Sequence, residues 1–162
     1  MDGEGIAEGQ VAVEKLGGGL DLARFDCGCS ELNDWLLHSA WPGKFMRFAD
    51  TYVVRDGRTV MGYHALGVET FAANRFPETA GREQLPQSLS AMILMCLAVD
   101  KQHQKRSLGR SLLRDAITRF AREAENQRVK VLLVRARNEA VRQLYISCGF
   151  TPLPAENHIL LR

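Results

Sequence analysis

No apolar run in this chain approaches the ~20 residues that a membrane-spanning helix needs, so a helical membrane protein is not expected. The opening stretch MDGEGIAEGQ lacks the basic-then-apolar order of a secretory signal, which makes the cytoplasm the expected compartment. The four cysteines, Cys27, Cys29, Cys96 and Cys148, show no zinc-ribbon spacing, so they are read as reduced structural thiols and no metal is expected. There is no internal repeat, and no low-complexity segment beyond the N-terminal tail. At 162 residues, with 46% hydrophobic and 25% charged residues, the chain suits one sizeable core but not two. Residues 1–10 are expected to be a flexible tail and residues 11–162 a single domain.

A net charge of only +2 is uninformative about partners, but its distribution is not. Residues 1–34 hold eight acids against Lys15 and Arg24, whereas residues 101–142 hold twelve Lys or Arg against Asp115, Glu123, Glu125 and Glu139. Such a basic segment suits either the phosphates of a cofactor or nucleic acid, or a solvated helix face.

QVAVEKL reads as an edge strand, and CSELNDWLLHSA as a helix capped by Ser30, with Leu32, Trp35 and Leu36 at helical spacing and WPGK ending it. TYVVRDGRTVMGYHALGV is a hairpin whose Asp56-Gly57 suits a type I′ turn. NRFPETAGREQLPQ is a loop, SAMILMCLAV a buried central strand, and VKVLLVRA a second buried strand. From Ser107 to about Glu123 the residues Leu108, Leu112, Leu113, Ala116, Ile117 and Phe120 make a helical apolar stripe, with Arg106, Arg110 and Arg114 on one flank. NEAVRQLYISCGF is a short helix ended by Gly149, and HILLR adds a last strand. This order predicts an α+β domain with a mixed sheet.

KQHQKRSLGRSLL lies between the central strand and the basic helix, where backbone N–H groups bind phosphate, yet it has one glycine, Gly109, where such loops have two or three. Two readings stand beside each other: a phosphate cradle with altered residues, or a basic helix cap. The segments LAVD, LGRSLL and NEAVRQLYISCGF, in this order, resemble the cofactor-binding half of the GNAT acetyltransferases. That family's loop reads Q/R-x-x-G-x-G/A; here Gln104-Lys105-Arg106-Ser107-Leu108-Gly109 matches at two of the three marked positions. With FDCGCSELNDWL and TYVVRDGRTVMGYHAL added, the chain from Phe25 to Pro154 resembles, more narrowly, the GNAT toxins of type II toxin-antitoxin pairs.

The resemblance implies the GNAT fold, a central mixed, mostly antiparallel sheet flanked by helices. It implies acetyl transfer from acetyl-CoA to the amino group of an aminoacyl-tRNA, a block of translation, a ribbon-helix-helix antitoxin as partner, and a possible homodimer. The other functions it leaves open are acetylation of a small amine or protein amino group, and a non-catalytic binding module.

The cofactor-binding residues so implied are Leu97, Ala98 and Val99 on the central strand, whose backbone N–H groups would meet the oxyanion; Gln104, Lys105, Arg106, Ser107, Leu108, Gly109 and Arg110 at the loop; and Asn138, which also suits a helix N-cap. Many members of that family have glycine and arginine where this chain has Met95 and Cys96, and glycine where it has Lys105 and Ser107. Serine keeps its N–H for the phosphate provided its φ stays negative, and Lys105, Arg106 and Arg110 replace lost backbone contact by charge.

Tyr145 is the implied general acid. A phenol with pKa ~10 can protonate a departing thiolate whose conjugate acid has pKa ~8.5. An attacking α-amino group, pKa ~7.7–8.0, is partly neutral near pH 7, so no strong base is demanded. The histidines, His38, His64, His103 and His158, are scattered and read as packing or surface residues, and Glu69 and Asp100 are given no role.

Overall fold

The central strand takes its place because its apolar side chains cover both of its faces. In the structure, a computed structural model that describes residues 12–40, 49–72, 88–126, 128–153 and 156–161, this is β4, Ser88–Val99. Along it Ala91, Met92, Leu94, Cys96 and Ala98 are buried. Ahead of it come β1 (Glu14–Lys15), α1 (Ser30–Asp34), β2 (Ala49–Asp56) and β3 (Thr59–Ala72); after it come α2 (Leu108–Glu125), β5 (Val131–Arg135), α3 (Glu139–Ser147), β6 (Thr151–Leu153) and β7 (Glu156–Leu161).

The chain forms two compact units, residues 1–66 with 96–116 and residues 67–95 with 117–162; β3, β4 and α2 contribute to both. In the first, the strand order is β1-β2-β3-β4, with β1 pairing antiparallel to β2 through Glu14↔Val53 and Lys15↔Tyr52. In the second it is β4-β5-β7-β6, where β4 and β5 are parallel from Ala91↔Val131 to Leu94↔Val134 and the remaining pairs are antiparallel. The expected mixed, mostly antiparallel sheet is found, with β4 at its centre.

Packing in the first unit is organised by α2, which buries Leu108, Ser111, Leu112, Leu113 and Ala116 and leaves Arg110 and Arg114 exposed, the division the helical periodicity predicts; Arg106, expected on the same flank, lies in the loop before the helix. Leu108 and Leu112 form a buried cluster with Val54, against which Leu97 and Val99 pack. The helix lies so close to β3 that a Cβ on Gly62 would stand 2.9 Å from a Leu112 methyl and 3.1 Å from the Ala98 carbonyl oxygen. Tyr63 is fully buried, stacked on Trp35 with centroids 5.8 Å apart and edge-on to Phe25.

Several local expectations need correction. The hairpin is present, but its two connecting residues are Gly57 and Arg58, one step later than expected. Gly57 has φ +61 and no neighbouring residue is left-handed, so the turn has its positive φ at the first central position only, as in type II′ and not type I′. Ser30 is the first helical residue and not the cap; Cys29 holds the cap position without a side-chain bond, and the helix continues as a π-helical segment, Trp35–Ser39. The edge strand β1 is two residues long, and β6 was not foreseen. WPGK, the loop 74–87 and the tail 1–10 lie outside the described residues.

Candidate functional site

The loop between β4 and α2 begins at Asp100, whose backbone N–H donates to the Met61 carbonyl (2.9 Å), and makes a 3-10 turn at Lys101–His103. Asp100 caps that turn: its carboxylate accepts from the Gln102 N–H at 2.9 Å and from the Asp26 N–H at 3.0 Å. Its role is therefore to hold backbone. Gln104 follows, its side-chain amide donating to the Val99 carbonyl at 2.8 Å and the Cys27 carbonyl at 3.1 Å.

Beyond Gln104 the backbone does what the sequence does not announce. Lys105 and Ser107 both have φ +64, the only non-glycine residues with positive φ among those described. The condition that Ser107 keep a negative φ fails. The fold adopts at both positions the left-handed backbone that glycine takes without cost, although a Cβ there opposes it. With Arg106 between them outside the positive-φ region, the backbone alternates in hand, the pattern on which an anion nest is built.

The nest runs into the start of α2. The first i to i−4 bond of this helix joins the Ser111 N–H to the Ser107 carbonyl at 3.0 Å, so the N–H groups of Leu108, Gly109 and Arg110 precede any intrahelical acceptor. Leu108 is anchored in the core, while Lys105, Arg106 and Arg110 are exposed. A Cβ on Gly109 would meet nothing nearer than a Val99 methyl at 3.8 Å, an ordinary contact. No protein atom requires glycine there; close approach of a bound pyrophosphate would, and these residues fit one. On β4 the side chains of Leu97 and Val99 pack toward α2, while Ala98, alternating with them, is buried.

In the second unit Asn138 caps α3. Its side-chain oxygen accepts from the Val141 N–H at 2.9 Å, so the N-cap role is present, and its amide nitrogen can still donate to a ligand. Tyr145 is 5% exposed, in the last turn of α3, with its ring centroid 5.6 Å from that of Phe150. Gly149 closes the helix at φ +99, with its N–H on the Ile146 carbonyl and the Phe150 N–H on the Tyr145 carbonyl, so the geometry of this turn fixes where the phenol stands.

The histidines divide. His64 is fully buried and its Nε2 lies 2.7 Å from the Asp115 carboxylate, in the first unit's core beside Tyr52. His38 is exposed, His103 lies in the 3-10 turn, and the His158 side chain is outside the described residues. All four cysteines are thiols, and no group of three or more metal-binding side chains occurs among the described residues. Burial pushes the Cys96 thiol up to about 12; a hydrogen bond with Tyr63 opposes the shift. No helix among the described residues is long and apolar enough to cross a membrane.

What sequence reading misses is the hydrogen-bond network within the segment 26–33. The Asp26 carboxylate accepts from the Gly28 N–H (2.9 Å) and the Asn33 amide (3.0 Å), while the Asn33 oxygen accepts from the Cys27 N–H (2.9 Å). These bonds, with Lys101 close by, hold the Asp26 carboxyl below its ordinary value, the Gly28 bond contributing most. The only signal for this segment is the motif FDCG itself.

Residues 48–152 match the family model described as an acetyltransferase (GNAT) domain. The chain is 31% identical, over 94% of its length and 92% of the relative's, to the tRNA-acetylating toxin of Mycobacterium tuberculosis. Among solved structures it resembles AtaT complexed with acetyl-methionyl-tRNAfMet, at 25% identity and a TM-score of 0.81, covering 93% of each chain. It also resembles AtaTR bound with acetyl-CoA, at 27% identity and a TM-score of 0.74, covering 93% of this chain and 92% of that one. A nested left-handed loop feeding a helix N-terminus, the β4 and α3 elements around it in sequence, and these matches agree: the chain belongs to the GNAT acetyltransferase family.

Proposed function

We propose that this chain transfers the acetyl group of acetyl-CoA to the free α-amino group of an aminoacyl-tRNA and so blocks translation, as the toxin of a type II toxin-antitoxin pair. The observation that carries the reading is the identity along nearly the whole chain to a protein named for acetylating tRNA. The solved AtaT relatives, one with acetylated methionyl-tRNA and one with acetyl-CoA, support both substrates.

In this reading the N–H groups around Lys105–Ser107 and those of Leu108, Gly109 and Arg110 hold the CoA pyrophosphate. Lys105, Arg106 and Arg110 add charge, each charge-assisted bond contributing about 1.5–3 kcal/mol. Gln104 shapes the loop, and Asn138 meets the pantetheine arm with its amide nitrogen. A backbone N–H within Leu97, Ala98 and Val99 stabilises the oxyanion formed when the neutral amine attacks the thioester carbonyl. As the C–S bond breaks, the sulfur takes the electron pair and a proton from Tyr145, and the phenolate recovers the proton that the attacking nitrogen releases as the amide forms. The basic 101–142 segment meets the tRNA backbone. A ribbon-helix-helix antitoxin, a homodimer, a single domain over residues 11–162 and a cytoplasmic location, where charged tRNA is found, complete the proposal.

The test is a cell-free translation reaction supplied with the purified protein. Synthesis is expected to stop when acetyl-CoA is present and to continue when CoA replaces it. Inhibition of equal size with either would point to a binding module instead of an enzyme.

A further inference from the structure

Left-handed backbone at two residues that are not glycine persists only where surrounding structure over-determines it. Downstream, the support is plain: Leu108 and Leu112 are buried against Val54, and α2 rests on Gly62. Upstream the support comes from a segment more than 70 residues earlier in the chain. The Lys101 N–H donates to the Asp26 carbonyl at 2.8 Å, the Asp100 carboxylate accepts from the Asp26 N–H, and Gln104 reaches the Cys27 carbonyl. Asn33 and Asp26 lock the 26–28 backbone from behind, and the Lys101 ammonium lies 3.5 Å from the Asp26 carboxylate. Both ends of 105–107 are therefore pinned.

We propose that Asp26, Asn33, Asp100 and Gln104 form a clasp that holds Lys105 and Ser107 in the left-handed conformation needed for acetyl-CoA, so that a cradle built on a lysine and a serine still binds. These are positioning residues, acting on the cofactor through the loop backbone. The proposal rests on the acetyl-CoA reading above. The Gln104 side chain meets two carbonyl oxygens, and an arginine there would also present N–H donors on a long stem.

Gln104 is exposed, so its replacement tests the clasp without removing core. Gln104→Met keeps length and neutrality but has no donor; Gln104→Arg keeps donors. Calorimetric titration with acetyl-CoA, alongside KM, kcat and the melting temperature, is expected to show Gln104→Met binding roughly tenfold more weakly, the scale of two neutral hydrogen bonds. Gln104→Arg, which restores N–H donors, should recover most of that loss. In a Ser107→Gly background the same Gln104→Met change should cost much less, because glycine takes positive φ unaided. Asn33→Ala should act like Gln104→Met with a smaller loss. Wild-type affinity in Gln104→Met overturns the clasp. A full tenfold loss in the Ser107→Gly background overturns it too, by showing that Gln104 touches the cofactor directly. If wild type itself binds no acetyl-CoA at millimolar concentration, the cradle reading fails and the clasp with it, an outcome distinct from either of these.

Discussion

Lys105 and Ser107, separated by Arg106, share the same left-handed φ of +64, and no other described residue except glycine has a positive φ. Each such residue costs roughly 1–2 kcal/mol relative to an ordinary backbone conformation. Ser107→Gly is therefore expected to raise stability by up to about 1 kcal/mol, because glycine's larger unfolded-state freedom offsets part of the relief. Denaturant titration of the two proteins checks this; a loss of stability would show that the serine side chain contributes more than its conformation costs.

Lys105→Gly should separate stability from affinity. The same relief of backbone strain favours folding, but the ammonium group is lost, so acetyl-CoA affinity should fall by about 1–3 kcal/mol. Titration with acetyl-CoA reads it, and tighter binding by the variant would mean the lysine obstructs the cradle.

Tyr145→Phe keeps the ring against Phe150 and removes only the donor. Acetyl transfer should drop by roughly 10²-fold or more while acetyl-CoA affinity barely changes. Unchanged turnover removes Tyr145 from the mechanism.

The buried pair Tyr63 and Cys96 makes stability depend on alkaline pH. Burial raises the Cys96 thiol from 9.0 to about 12, and raises the Tyr63 phenol well above its ordinary value. The folded state thus holds protons that the unfolded state releases first, and stability must decline as pH rises from about 9 to about 12. Cys96→Ala should flatten the lower part of that decline in thermal melts across this range. An unaltered profile would show that Cys96 does not report on folding.

Arg114 and Arg135 are exposed members of the basic segment. Reversing either charge to Glu should weaken tRNA binding similarly for all tRNAs and make it less sensitive to salt. Equal affinity and equal salt dependence in both variants would favour a small-molecule acceptor.

How much of this was readable in advance follows physical lines. β4, α2, β5 and α3 carry strong local periodicity, and their positions hold to within a few residues because each buries its own apolar face. β6 escaped notice because three residues including Pro152 give no pattern; it forms by pairing with β7. Ser30 looked like a cap on composition alone, yet the backbone turns one residue earlier. In the candidate site, residues 104–110, Asn138 and Tyr145 are proposed from motif order. The left-handed loop was not, since lysine and serine disfavour it locally and only long-range bonds such as Asp26 to Asp100 hold it. That bond joins residues 74 positions apart, beyond the reach of any local pattern.

The most direct measurement is to incubate the purified protein with acetyl-CoA and a mixture of charged tRNAs, then determine the mass of the aminoacyl groups released. The account expects at least one aminoacyl group to gain an acetyl on its α-nitrogen, only when acetyl-CoA is present, with Tyr145→Phe strongly reduced. Aminoacyl groups of unchanged mass, from a protein shown in the same sample to bind acetyl-CoA, would contradict it.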